Sequence, residues 1–343
     1  MSILIDLPFT FNYISFLYLN SVSDLSTKMA LTDYKIFSGS SNEPLAEKIA
    51  KKLGKPLGSL ELKRFSDGEI WVKYGENIRG RDVYLIQSTN PPAENIMELL
   101  IMIDAAKRAS AQRITVVIPY FGYSRQDRKD QPRVSISAKL AANLITVAGA
   151  DRIMTMDLHA AQIQGFFDIP FDHLYSSTIF SGLFKNLAEN LVVVSPDIGG
   201  IKMARSYAKR LHCQLVVIDK RRPKQNLAEV VHIIGSVENK NVLLVDDLID
   251  TAGTFVGAIE ALRLNGAKNI YGAVSHPILS GAALERIEKS DLKKLYVSDT
   301  IPIKSDKLPD KISVVTASDV FAEAIRRTHN NESISSLFDV DKS

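Results

Sequence analysis

One cysteine, Cys213, and one tryptophan are all that the 343 residues contain of either type. A lone thiol excludes a disulfide framework and a cysteine-built zinc site, and it suits a reducing compartment, so a cytoplasmic protein is expected. An excess of charge of one sign is also missing: Lys plus Arg number 42 against 39 Asp plus Glu, a net +3. That balance argues against a nucleic-acid partner, whose binding rests on neutralising phosphates. No apolar run approaches the ~20 residues of a membrane span, so no membrane partner is expected. Stretches of Pro, Gly or Ser long enough for a flexible linker are absent, which means that any domains are closely joined. With 45% hydrophobic and 24% charged residues the composition is globular. The length suits about two domains of roughly 150 residues each.

Basic residues are missing from the first 27 positions, Lys28 being the first. Residues 4–19 are apolar and aromatic but are broken by Asp6, Pro8 and Asn12. Without a basic start they suit neither a secretory signal nor a transit peptide. Residues 1–28 are read as an extension outside the core, with Met29 as the start of the functional polypeptide. A packed or oligomer-facing arm is the alternative.

Short β-branched runs alternate with helix-like segments along the rest of the chain. Strands are expected at 83–87, 114–118, 192–195, 215–218, 242–246 and 270–274. Helices are expected at 94–110, 137–148, 200–211 and 254–264. Such alternation predicts an α/β protein of doubly wound domains with mainly parallel central sheets. The halves echo each other: the run from Arg81 to its helix and the strand from Arg113 has a counterpart in the run from Lys240 to its helix and the strand from Lys268. Two similar domains follow, at 32–173 and 174–318, with a helix and tail at 319–338 packing on the first.

The most informative segment lies in the second half. An apolar strand runs into Asp246 and Asp247, and then Asp250, Thr251, Ala252, Gly253 and Thr254 make a short turn that opens a helix. Free backbone N–H groups and threonine hydroxyls at a helix N-terminus form an anion site. The neighbouring carboxylates suit sugar hydroxyls or Mg²⁺ beside a bound phosphate. An N-cap with solvated acids is the plainer reading of an isolated Asp-Thr turn. Elsewhere, Gly199 and Gly200 open a helix and allow close backbone approach to a diphosphate. Lys220 and Arg222, one residue apart, project to one side of an extended strand. There they would clamp phosphates, although a basic surface loop gives the same pattern.

The turn from Asp246 to Thr254 resembles the ribose-5-phosphate loop of the type I phosphoribosyltransferase fold. Together with the motifs at 64–69, 120–129, 157–160, 195–200 and 219–223, in that order, the chain is similar to the ribose-phosphate pyrophosphokinases of the phosphate-activated class. The similarity runs from about Tyr34 to Phe338. It implies transfer of the β,γ-diphosphate of ATP to the 1-hydroxyl of ribose 5-phosphate, giving phosphoribosyl pyrophosphate and AMP. The domain at 32–173 is then the ATP side and that at 174–318 the ribose-5-phosphate side.

The same resemblance distributes roles. Phe65, Asp67, Gly68 and Glu69 would contact adenine, and Arg125 and Gln126 the nucleotide. His159 and Asp197 would bind Mg²⁺, and Gly199 and Gly200 would line the diphosphate loop. Lys220 would be the catalytic cation, with Arg222 on substrate phosphate. Asp246, Asp247, Asp250, Thr251, Ala252, Gly253 and Thr254 would hold ribose 5-phosphate. Arg133, Ser333 and Ser335 match a regulatory site for inorganic phosphate as activator and ADP as inhibitor, in a homohexamer. Two rival readings share part of this pattern: a phosphoribosyltransferase, which needs only the 246–254 loop, and a catalytically silent subunit, in which the Lys220 loop or the substrate turn is lost.

Overall fold

A computed structural model describes residues 33–221, 230–303 and 308–338. Residues 1–28, the expected start at Met29, and Arg222 lie outside the described residues. The first sheet is parallel throughout, in the order β1 (Tyr34–Ser38), β4 (Asp82–Ile86), β5 (Arg113–Ile118), β6 (Arg152–Met156) and β7 (Phe171–Leu174). An antiparallel hairpin, β2 (Leu60–Arg64) with β3 (Ile70–Tyr74), leaves this sheet between β1 and β4.

The second sheet repeats the order with β8 (Leu191–Ser195), β11 (Asn241–Ile249), β12 (Asn269–Pro277), β13 (Leu292–Ser298) and β14 (Ile312–Val315), again parallel. Its hairpin stays attached. The strand β9 (Gln214–Arg221) pairs parallel with β8, and β10 (Val230–Ile234) pairs antiparallel with β9. The echo between the halves is therefore topological, β4 matching β11 and β5 matching β12. Residues on the central strands are buried on both faces, as in 192–194 and 242–245, which explains their unbroken apolar runs.

The helices are α1 (Glu43–Lys52), α2 (Glu94–Arg108), α3 (Ser137–Ala148), the single turn α4 (Ser177–Phe180), α5 (Ile201–Leu211), α6 (Gly253–Leu264), α7 (Ala283–Lys289) and α8 (Ser318–His329). In α1, Leu45, Ala46, Ile49 and Ala50 share one buried face. Phe321, Ala322, Ala324 and Ile325 of α8 pack in the same core with Tyr34 and Met154 of the first sheet. The helix that follows the last strand of the second sheet thus completes the first core. Reciprocally, Phe180 and Phe184, which follow the last strand of the first sheet, pack with Ala204 and Tyr207 of α5 under the second sheet. The described residues from Tyr34 to Phe338 accordingly form one compact unit.

β8 connects to β9 on one side of the second sheet and β11 continues on the other, so the strand order reverses between β8 and β11. Crevices at the carboxyl ends of strands beside such a reversal are where open α/β sheets bind ligands.

Candidate active site

Both loops at that reversal carry acids. After β8, Asp197 Oδ1 accepts the Gly200 amide at 2.9 Å, and Ser195 Oγ donates to the Asp197 carbonyl at 2.7 Å. A Cβ on Gly200 would lie 2.8 Å from Ser195 Oγ, so a side chain there would displace the hydroxyl that donates to the Asp197 carbonyl. On the other side, β11 continues to Ile249, three residues beyond the strand expected from the sequence. The extension forms because β12 runs on to Pro277 and pairs Leu248 with His276 and Ile249 with Pro277. Asp247 therefore sits on the strand beside Asp246 rather than after it. The turn that follows holds Ala252 at φ 60°, a left-handed conformation that a residue other than glycine rarely adopts.

The first half reaches the end of β11 and the turn after it through two ion pairs. His159 Nδ1 lies 2.8 Å from Asp247 Oδ2, and Arg125 Nη1 lies 2.9 Å from Asp250 Oδ2. Burial holds the Asp246 carboxyl well above its usual range, and the charge of Asp247 next to it adds to the effect. Burial is the strongest single influence on Asp247 and acts in the same direction, but the hydrogen bond and charge of His159, together with the hydrogen bond to Asp246, outweigh it and keep that carboxyl low. The same bond raises His159. Ser280, then Arg125, holds Asp250 below the usual carboxylate range. Adjacent carboxylates with opposed shifts form a pair that shares negative charge poorly and that a cation would relieve.

The other expected site residues are less gathered. His159 meets Asp247, not Asp197, among the described residues. Phe65, Asp67, Gly68 and Glu69 form the tip of the β2–β3 hairpin, where Phe65 is 55% exposed. The Phe65 amide donates to the Glu69 carbonyl and the Glu69 amide to Asp67 Oδ1, with Gly68 at φ 96°. Gln126 turns toward the start of α3, accepting from the Ser135 and Ser137 hydroxyls. Lys220 lies on β9 opposite Val231. Arg133, at φ 68°, is on an exposed loop, while Ser333 and Ser335 both follow the end of α8, where the Ser333 carbonyl accepts from Arg327. Ser280 and Arg286, which fix Asp250 and the Thr251 carbonyl, were not legible as site residues. A serine and an arginine outside any motif carry no signal until the fold brings them to the turn.

Among the described residues, no three His, Cys, Asp or Glu side chains form a ready metal cage, and no helix is long and apolar enough to cross a membrane. Carboxylates at a reversal of strand order, a turn that opens a helix beside them and a histidine supplied by the other half define an α/β protein of the phosphoribosyltransferase-like class. The particular family follows from comparison with known proteins. The family described as the N-terminal domain of ribose phosphate pyrophosphokinase matches residues 34–149, and that described as the phosphoribosyl synthetase-associated domain matches residues 220–339. The ribose-phosphate pyrophosphokinase of Chlorobaculum tepidum is 61% identical over 310 residues, covering 90% of this chain and 96% of that protein. That of Campylobacter jejuni is 55% identical over 307 residues, covering 89% and 99%. The crystal structure of phosphoribosylpyrophosphate synthetase from Mycobacterium smegmatis aligns with a TM-score of 0.82 at 38% identity, over 88% of this chain and 100% of that one. The chain belongs to the ribose-phosphate pyrophosphokinase family.

Proposed function

We propose that the composite site between the two sheets carries the family's reaction, transfer of the β,γ-diphosphate of ATP to the 1-hydroxyl of ribose 5-phosphate, releasing AMP. The observation that carries this reading is the pair of contacts His159–Asp247 and Arg125–Asp250, which bring residues of the first half against the end of β11 and the turn after it. The turn from Asp250 to Thr254, at the N-terminus of α6, takes the 5-phosphate through its backbone amides. Asp246 and Asp247 accept hydrogen bonds from the ribose hydroxyls. Gly199 and Gly200, at the start of α5, line the diphosphate. Arg125 turns from Asp250 to nucleotide phosphate, and Phe65, at its exposed hairpin tip, offers a face to adenine with Asp67 and Glu69 as acceptors. Residues 32–173 are accordingly the ATP side and 174–318 the ribose-phosphate side.

Carboxylates with one imidazole, and no closed cage, suit Mg²⁺ brought in on nucleotide phosphates, because this ion keeps oxygen ligands and several waters. His159 and Asp197 would hold it, and it would neutralise charge developing on the transferred diphosphate. Lys220 and Arg222 add cations to the same phosphates, where preorganised charge matters most. The protein works in the cytoplasm as a homohexamer, activated by phosphate and inhibited by ADP through Arg133, Ser333 and Ser335. This reading is favoured over a phosphoribosyltransferase because Arg125 and His159, from the half that such an enzyme does not need, meet the acids Asp250 and Asp247.

Purified protein with ATP, Mg²⁺, phosphate and ribose 5-phosphate is expected to release AMP, read by chromatography. No AMP under those conditions favours the silent-subunit reading. Lys220→Ala should lower turnover by more than about 100-fold, roughly 3 kcal/mol of transition-state stabilisation, and near-normal turnover would refute its role.

A further inference from the structure

The strand that delivers His159 ends in an unusual way. Asp157, the first residue past β6, has φ 33°, in the left-handed region, and its side chain is buried. Its carboxylate accepts the Ser176 amide at 3.1 Å and the Ser275 hydroxyl. Ser275 lies on β12 of the second sheet. The next residue, His276, is 1% exposed, and its Nε2 lies 3.2 Å from the Met156 carbonyl and 3.0 Å from the Asp157 carbonyl. Two carbonyls can only accept, so Nε2 carries the proton and Nδ1 accepts from the Thr300 hydroxyl at 2.9 Å. The Tyr120 ring packs against the same ring at a tilt of 59°, with centroids 4.9 Å apart.

The pseudo-repeat supplies an internal control. Asp299 stands just past β13 as Asp157 stands just past β6, and it accepts the Ala317 amide at 2.8 Å as Asp157 accepts that of Ser176. Among the described residues its other carboxylate oxygen meets the surface cation Lys48, at 2.8 Å. Asp157 differs in being tied sideways to the opposite sheet, two residues before His159. β12, which supplies that tie, is also the neighbour of β11 and sets the register of Asp246 and Asp247. Ion pairs and neutral polar groups buried at such a seam cost desolvation, and apolar residues of similar shape would close it as well.

We propose that Ser275 and His276 are positioning residues: through Asp157 they fix the strand end that carries His159 against Asp247, so that β12 sets both sides of the reacting site. The inference rests on the role given to His159 above. Displacements of about 1 Å in a reacting array cost roughly 10–100-fold in rate, and that is the loss expected of Ser275→Ala and of His276→Leu. His276→Gln keeps an N–H near the Nε2 position and should recover most of the turnover. KM for ribose 5-phosphate should stay within about twofold throughout, because the 250–254 turn is untouched. Amide hydrogen exchange at 157–160 should quicken in the two damaging variants while the melting temperature changes no more than in Asp299→Asn, which should keep normal turnover.

The deciding measurement is a double-mutant cycle with His159→Ala. In that background Ser275→Ala should cost nothing further in turnover. If His159→Ala lowers turnover but the two losses multiply, the positioning role is wrong and the reading of the site stands. If His159→Ala alone leaves turnover unchanged, the role given to His159 falls, and the inference with it. Should His276→Leu fail to fold, Ser275→Ala, which deletes only a hydroxyl, decides alone.

Discussion

His173 shows how far a single side chain in this fold departs from its free chemistry. Its Nε2 accepts the Leu158 amide at 3.0 Å, so the nitrogen that would take a proton is already occupied. Burial, with added repulsion from His276 and Lys202, pushes its pKa down to about 4. The unfolded chain, at the ordinary ~6.5, binds a proton first as pH falls. The stability this neutral group contributes is therefore complete above about pH 6.5 and is lost between there and about pH 4. Denaturant titrations should show a loss of about 2 kcal/mol from this group between roughly pH 7 and pH 5. His173→Gln should flatten that part of the profile, and an unchanged slope would show that His173 is not the group responsible. Nothing in the sequence singles out His173 among six histidines. Asp247 was legible, by contrast, because two acids at the end of an apolar strand are chemically unusual whatever surrounds them.

Among the elements, α8 is the one whose location decides most. Its apolar residues at 321, 322, 324 and 325 predict an amphipathic helix, and the structure sets them against α1 and the first sheet. A polar clasp closes its far end: His329 Nδ1 and Arg113 Nε both reach the Asp82 carboxylate at 2.9 Å, and Tyr84 donates to it at 3.2 Å. Phe321 is fully buried in the core that α8 completes. Phe321→Ala should cost about 3–5 kcal/mol, a transfer loss plus the cavity left behind. Urea unfolding should report it as a lower midpoint at unchanged slope. A cost below about 1 kcal/mol would mean that α8 is not part of the cooperative core. The central strands were legible from their apolar runs, whereas the extension of β11 to Ile249 was not, since it depends on pairing with β12.

At the scale of the whole molecule, each sheet is finished by a helix that follows the other sheet. α8 closes the first core and the segment from α4 to Phe184 closes the second. Neither half buries its apolar surface alone, so the excised segment 33–174 should lack a cooperative thermal transition and near-ultraviolet circular dichroism, while the full chain shows both. A sharp transition in the excised half would show that the exchange of helices is dispensable. The same exchange ties the halves firmly enough for a site built from both to keep contacts of 2.8 and 2.9 Å.

The sequence by itself determined the alternation of strand and helix, the parallel character of both sheets, the family and the acids of the 246–254 turn. These are local signals, carried by periodicity, spacing and residue type within a few positions. Tertiary structure alone decided that His159 faces Asp247 rather than Asp197, that Gln126 turns to α3, and that Asp157 is held by Ser275 and His276. The contacts of His159 and Asp157 join residues 88 to 119 positions apart, that of Gln126 spans 11, and no pattern along the chain specifies any of them. They arise because packing the two sheets brings one set of strand ends against the other, and burial then makes each polar group find its partner there.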